Sequence, residues 1–411
     1  NNTAVGYASL AANTTGHSNV AVGALALDAN TTGEENTAVG KNVLGANTTA
    51  SYNTSMGSSS MLVNTTGANN VALGVNALKS NTTASNNTGI GFGALVANTT
   101  GANNTAVGAL AGDGMTTGDN NTALGYTAMS AVVTGDGNTA VGTRAMFTHT
   151  TGTMNTGLGR DALYSNTVGN YNTAVGEGAL YTNVDGSNSV AVGRLALYSQ
   201  DPASAVEMHN VGVGYKAGQA VTTGVQNTII GGLAGDALTT GQQNTVLGYG
   251  ALSSDTTGIT TVAIGRAALE AQNFTGGESS YNTAVGYHSG LSVTTGVKNT
   301  FIGGLSGDAN TTASNNTAVG YNTLGANTTG GQNVAIGKDT LDANTTASDN
   351  TGVGHRVLSA NTTGASNTGV GKEALANNTT ASNNTAVGKS ALTANTTGSE
   401  NTAVGTLSLD A

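Results

Sequence analysis

The chain lacks cysteine and tryptophan and contains a single proline among its 411 residues. Without cysteine it forms no disulfide, so the sequence leaves the redox compartment open. Aromatic residues make up 4% and charged residues 8% of the chain, which excludes a conventional core of large side chains and a charge-expanded disordered segment. No apolar run of transmembrane length occurs. Because the net charge is −10 and lysine and arginine form no run, we expect no nucleic-acid partner.

Glycine, by contrast, occurs 62 times and returns at a fixed interval. Gly6, Gly23 and Gly40 lie 17 residues apart, and the interval stays 17 as far as Gly405 except for two steps of 21. Such a period is typical of a solenoid, whose units bury their apolar surface only against neighbouring units. We predict an all-β parallel β-solenoid, or β-roll, with one 17-residue repeat per coil and about 24 coils. We expect it to occupy residues 1–411 as one continuous domain and to be a window of a longer repeat protein.

The repeat can be read as columns, numbered so that the recurrent glycine is column 5. Column 4 is aliphatic or methionine in every repeat, as in Val5, Val22 and Val175. We therefore expect column 4 to face the core, with column 2 on the same side of the strand. Column 9, mostly leucine or methionine, predicts a second apolar strand across a thin core. Glycine in column 5 indicates a positive φ or a position too crowded for a Cβ atom.

Asparagine occupies column 1 in nearly every repeat, with Ser189 and Thr261 as exceptions. Identical amides stacked on neighbouring coils can hydrogen-bond to one another, so column 1 predicts an asparagine ladder. Asparagine also favours turns, which is the alternative interpretation.

Column 12 is also often asparagine, followed by two threonines. This matches the acceptor pattern for N-linked glycosylation, although Asn-Thr-Thr-Gly is equally a turn that enters a threonine-rich segment. The candidate glycosylation residues are Asn13, Asn30, Asn47, Asn64, Asn81, Asn98, Asn310, Asn327, Asn344, Asn361, Asn378 and Asn395.

No catalytic, metal-binding or cofactor-binding constellation is found, so we expect no enzymatic activity. The five histidines fall in different positions of the repeat and share no face. Asp113, Asp236 and Asp308 share column 10, and each follows a glycine that replaces the column 9 leucine. We interpret this as local repacking rather than calcium binding, because the calcium-binding solenoid pattern is absent.

Two enlarged coils are predicted at 189–209 and 261–281, each with four extra residues. Insertions in solenoids map to loops that can bind ligands, and a tolerated bulge is the alternative. The threonines of columns 13 and 14 are similar to the threonine ranks of ice-binding solenoids. They are adjacent, however, whereas ice-binding ranks alternate.

The blocks at 19–23, 189–193, 261–265 and 333–337, such as Asn-Val-Ala-Val-Gly, resemble repeats in the heads of trimeric autotransporter adhesins. The longer pattern ending in Asn-Thr-Thr-Gly is similar to repeats of bacterial and phage tail-fibre-like surface proteins. The resemblance implies a left-handed parallel β-roll and association as a homotrimer.

These observations favour a structural protein, the shaft of an extracellular fibre that self-associates and carries covalent glycans. The alternative is an adhesin or phage tail fibre that binds cell-surface glycans, and ice binding is a minor alternative. We expect an extracellular location, at a cell surface or on a virion.

Overall fold

The structure is a computed structural model that describes residues 1–410. The chain forms two compact units, Asn1–Met208 and the described residues from His209 onward, which are treated one at a time. Each unit is a parallel β-solenoid in which one three-residue strand recurs on every coil, and no helix occurs in residues 1–410. The predicted fold class is therefore confirmed, with about 24 coils in total. The single continuous domain over 1–411 stays a prediction.

Unit 1 contains twelve strands of the main parallel ladder and one short additional pair. Neighbouring strands pair column to column, so that Thr3 lies opposite Val20 and Gly157 opposite Ala174. The strands are β1 (Thr3–Val5), β2 (Val20–Val22), β3 (Thr37–Val39), β4 (Thr54–Met56), β5 (Val71–Leu73), β6 (Thr88–Ile90), β7 (Thr105–Val107), β8 (Thr122–Leu124), β9 (Thr139–Val141), β10 (Thr156–Leu158), β11 (Thr173–Val175), β12 (Gly186–Ser187), β13 (Val190–Val192) and β14 (Val206–Glu207), of which β12 and β14 form the short pair.

Unit 2 repeats the same arrangement with twelve strands. The register is kept across the enlarged coil, where Val262 pairs with Thr283 over an interval of 21 residues. The strands are β15 (Val211–Val213), β16 (Thr228–Ile230), β17 (Thr245–Leu247), β18 (Val262–Ile264), β19 (Thr283–Val285), β20 (Thr300–Ile302), β21 (Thr317–Val319), β22 (Val334–Ile336), β23 (Thr351–Val353), β24 (Thr368–Val370), β25 (Thr385–Val387) and β26 (Thr402–Val404).

The glycine of column 5 satisfies both conditions that the sequence left open. Its φ is positive, 130° at Gly6 and 138° at Gly23. A Cβ atom on Gly6 would lie 2.6 Å from the carbonyl carbon of Gly23 on the next coil. Any side chain in this column would therefore meet backbone that cannot move aside, which explains why the glycine recurs on every coil.

Column 4 does not face the core, so that prediction is wrong. The middle residue of each strand, column 3, points inward, and Ala21 and Ala38 are fully buried. Columns 2 and 4 point outward, and Val5 and Met56 are 58% and 45% exposed. The physical reason is the thinness of the coil. A Cβ built on Gly89 in column 3 would lie 3.3 Å from Leu78 Cγ in column 9, so only a small residue fits there.

Column 9 is the core column that the sequence predicts, but it does not lie in a strand. Leu27 and Leu44 are fully buried. Positive φ recurs in columns 7 and 9, as at Ala8 (55°) and Leu10 (52°), which is incompatible with a β-strand. The backbone still bonds from coil to coil, since Leu10 N donates to Ala26 O at 3.0 Å. The second strand per coil is therefore wrong, and a hydrogen-bonded turn replaces it.

Where column 9 is glycine, neighbouring columns supply the missing volume. In unit 2, Phe301 in column 3 lies between Gly290 and Gly307, and Cβ atoms on these glycines would lie 3.0 and 2.5 Å from its ring. In unit 1, the side chain of Met115 fills the space beside Gly112. At these coils a larger side chain from another column thus fills the space that the column 9 glycine leaves.

Candidate functional site

The column 1 asparagines form the predicted ladder, and this prediction is confirmed. Asn36 lies in the interior of unit 1 and is fully buried. Its backbone N–H and its Nδ2 atom both donate to Asn19 Oδ1, at 2.9 and 3.2 Å. Nδ2 also donates to Ala50 O at 2.8 Å, which ties column 1 to column 15 of the same coil. The ladder therefore links successive coils and closes each coil on itself.

The candidate glycosylation residues of column 12 form a second buried ladder. Asn30 Nδ2 donates to Asn13 Oδ1 at 2.9 Å and to Gly33 O at 3.0 Å. A sugar on Nδ2 replaces one of its two hydrogens, so at least one of these bonds would be lost, and the buried Nδ2 atom leaves no space for a sugar in the coil as it is folded here. Asn13 and Asn395, near the ends of the chain, are partly exposed. Glycosylation stays a prediction. The candidates that are buried like Asn30 are Asn47, Asn64, Asn81, Asn98, Asn310, Asn327, Asn344, Asn361 and Asn378.

The enlarged coils explain the two exceptions in column 1. Gln200 occupies column 12 in the first of them, and its Nε2 atom donates to Asn183 Oδ1 at 3.0 Å and to Ser189 Oγ at 3.1 Å. Gln272 makes the equivalent bond to Thr261 Oγ1 at 3.1 Å in the second. A longer glutamine is thus accommodated by a shorter residue in column 1. Ligand binding by the inserted residues stays a prediction.

The predicted repacking around the column 10 aspartates agrees with their surroundings. Asp113 accepts a hydrogen bond from Ser130 Oγ at 2.6 Å. Burial raises the pKa of Asp113, and likewise the pKa values of Asp236 and Asp308. No group of three or more His, Asp or Glu side chains is placed to hold a metal ion within residues 1–410.

His149 takes a ladder position in column 12. Its Nε2 atom lies 2.9 Å from Gly152 O, and its Nδ1 atom lies 3.2 Å from Asn166 Nδ2. Nδ1 also lies 3.1 Å from Asn166 O. A neutral ring with its proton on Nε2 donates to Gly152 O and accepts from Asn166 Nδ2, but it offers no donor to Asn166 O. Burial lowers the pKa of His149, which favours that neutral form.

Of the two threonine columns, column 13 forms hydrogen bonds between coils and column 14 is exposed. Thr31 in column 13 donates through Oγ1 to Thr48 O at 3.0 Å. Thr32 in column 14 is exposed. Hydroxyls of column 13 are thus engaged between coils, and column 14 offers a single exposed rank. Ice binding stays a prediction.

An aromatic stack on unit 1 was not anticipated from the sequence. Phe147, Tyr164, Tyr181 and Tyr198 occupy column 10 of four consecutive coils, with ring centroids 5.2, 4.9 and 5.0 Å apart. The guanidinium carbon of Arg144 lies 5.5 Å from the Tyr164 centroid. Comparison of column 10 between neighbouring repeats would have found the stack. Since the rings mainly contact one another, they stabilise the coils and offer little free ring face.

The sheet face, defined here as the outward side chains of columns 2 and 4 in one unit, is uncharged throughout. Column 2 is threonine or valine and column 4 is aliphatic or methionine on every coil of both units. None of the column 4 side chains is buried. Twelve strands of three residues present a flat strip about 50 Å long and about 10 Å wide in each unit.

A groove on unit 2 collects charged side chains. It has a volume of about 600 Å³ and crosses the coils that begin with β22, β23 and β24. It forms because column 10, which is aromatic in the stack of unit 1, is small here. The lining residues are Lys338, Asp339, Asp342, His355, Arg356, Ser359, Ala360, Ala376 and Asn377.

Neither a family model nor a curated protein sequence matches this chain. Within residues 1–410 there is no helix of the length and apolar character needed to cross a bilayer.

Proposed function

We propose that the chain is the shaft of an extracellular fibre, at a cell surface or on a virion, and that it works without catalysing a reaction. Copies of the chain associate along the sheet face, and the homotrimer implied by the sequence resemblance is one form of this assembly. The regular coils give a scaffold whose length is set by repeat number.

The sheet face is the observation that carries this proposal. Solvent-exposed positions normally vary between polar and charged residues, yet column 4 is aliphatic or methionine on every coil. The strip measures about 500 Å² per unit, and its continuous apolar part is the column 4 row, roughly half of that area; exposed apolar patches of a few hundred Å² often mark interaction sites. Association would remove this apolar part from water at about 25 cal/mol per Å².

The test is the association state of the full chain. Val319 in β21 and Thr329 in column 14 lie on the same coil, and Thr329 is exposed. We expect light scattering after size-exclusion chromatography to detect oligomers of the wild type. Val319→Asp should weaken association at least tenfold, because it places a charge in the apolar strip, whereas Thr329→Asp should not.

Electron microscopy of the same samples then tests the shaft itself. Filaments of uniform width support the proposal. A wild-type chain that stays monomeric at every concentration, or equal loss of association in both variants, would contradict the role of the sheet face.

An adhesin is the second candidate function, and the groove of unit 2 is the observation that favours it. The groove is a concave surface lined by charged side chains, among which Arg356 forms no ion pair within residues 1–410, and such a surface fits a polar ligand better than it fits a passive shaft.

A further inference from the structure

We propose that the groove of unit 2 binds an anionic sugar, whose negative group pairs with Arg356 while one of its hydroxyls donates to Asp342. This inference rests on the second candidate function, and it does not require association along the sheet face. A shaft and a sugar site can coexist because they use different columns of the coil.

The groove exists because two column 10 side chains are small. Ser359 and Ala376 occupy the position that tyrosine fills on the stacked coils of unit 1. Its volume of about 600 Å³ lies within the usual range for small-ligand sites, about 300–1,000 Å³.

Arg356 supplies the anion-binding group. Within residues 1–410, Arg356 forms no ion pair, whereas Lys338 and Lys372 are held 3.5 Å from Asp339 and Glu373. An exposed guanidinium presents a planar fork of N–H donors, which matches a carboxylate or sulfate in two-point contact. The charge of Arg356 is therefore available to a ligand.

Asp342 supplies the complementary acceptor. Its side chain lines the groove and is partly exposed. Burial raises the pKa of Asp342, while hydrogen bonding to the backbone and the nearby Arg356 charge partly oppose that rise. A carboxylate is an acceptor only, so a ligand hydroxyl in the groove can donate to it. One molecule that carries an anion and a hydroxyl close together would satisfy both groups.

The surroundings favour a sugar within a linear polymer. Column 6 continues as a row of cationic or ionisable side chains on four successive coils, and successive coils are spaced about 4.8 Å apart. A polyanion that runs along this row would meet three lysines, of which Lys338 and Lys372 also lie 3.5 Å from Asp339 and Glu373, and Arg356 on the coil of His355. The residues of the row are Lys338, His355, Lys372 and Lys389.

The experiment is a calorimetric titration of the full chain with oligogalacturonate, at about neutral pH with a chelator and fixed salt. Arg356→Gln should lower the affinity about tenfold, because it removes the charge and the two-point contact of the guanidinium with the anion. Lys41→Ala is the matched control, because it removes one cation from column 6 of unit 1. It should leave the affinity unchanged.

The role of Asp342 is tested by the selectivity of the groove between two polyanions. The wild type should prefer oligogalacturonate to polyacrylate, which has carboxylates but no hydroxyls, and Asp342→Asn should reduce that preference several-fold. A parallel titration with dextran sulfate distinguishes a sulfated from a carboxylated sugar, because Arg356→Gln should lower the affinity for the preferred anion most.

Equal effects of Arg356→Gln and Lys41→Ala on the affinity, or equal binding of polyacrylate and oligogalacturonate by the wild type, would overturn the proposal. Val319→Asp should retain sugar binding, so a failure of fibre assembly is distinguished from a failure of this site.

Discussion

Replacing Ala174 with aspartate should unfold the coils around β11, whereas replacing the adjacent Val175 should not. Ala174 is fully buried in column 3 and pairs with Gly157 and Ala191 on the neighbouring coils. Val175 lies on the sheet face and is partly exposed. The two substitutions place the same charge one residue apart, on opposite sides of one strand.

The expected magnitudes differ severalfold. A fully buried aspartate can have its pKa raised by about 3–5 units, so at neutral pH it folds protonated. This costs about 4 kcal/mol of stability, because neutral pH lies about 3 units above the unfolded-state pKa of about 3.9. Overpacking against the thin core adds about 1–3 kcal/mol. Val175→Asp loses only part of the burial of one valine, about 1 kcal/mol. The first penalty is comparable to the whole stability of a typical domain, and the second is not.

Hydrogen exchange measured below the association concentration checks this prediction. With Ala174→Asp, we expect the amides of β10, β11 and β13 to exchange orders of magnitude faster than in the wild type. With Val175→Asp they should keep most of their protection. Equal loss of protection in the two variants would mean that column 4 faces the core, and the assignment of the sheet face would be wrong.

Two further predictions concern the core and the ladder. Phe301→Ala should lower stability by about 3–5 kcal/mol in chemical denaturation by leaving a cavity. Adding Gly307→Leu, which restores the common column 9 residue, should recover part of that loss; no recovery would contradict the volume exchange between columns. Burial lowers the pKa of His149 in the folded chain below the unfolded-state value of 6.5. The free energy of unfolding should therefore be highest above pH 6.5 and fall as the pH drops below it, because the unfolded chain binds a proton that the buried ring does not. Denaturation midpoints of the wild type and His149→Asn between about pH 7.5 and 5 should diverge accordingly, and parallel curves would contradict the role of the ring.

The coil could be predicted from the sequence, whereas the direction of its side chains could not. The recurrence of Gly6, Gly23 and their equivalents sets the coil length and the pairing register, because a parallel solenoid aligns each residue with its copy. Alternation along Thr-Ala-Val, however, allows either face to be inside. The choice depends on the space across the coil, where Leu78 leaves room only for alanine or glycine.

The candidate surfaces were predictable to a smaller extent. The asparagine ladder followed from repetition, because stacked identical amides satisfy one another. The aromatic stack was present in column 10 and could have been found by comparing repeats. The groove of unit 2 could not, since it depends on the small size of Ser359 and Ala376 together with charges on two different coils.

The coil-to-coil hydrogen bonds also determine how each unit responds to force. Bonds such as Leu10 N to Ala26 O lie along the direction in which coils are stacked. Tension applied in that direction would therefore load them one coil after another rather than all together. Each released coil of 17 residues would lengthen from about 4.8 Å to nearly 60 Å of extended chain. A unit under tension would thus extend in steps, one coil at a time, and dissipate energy at each step.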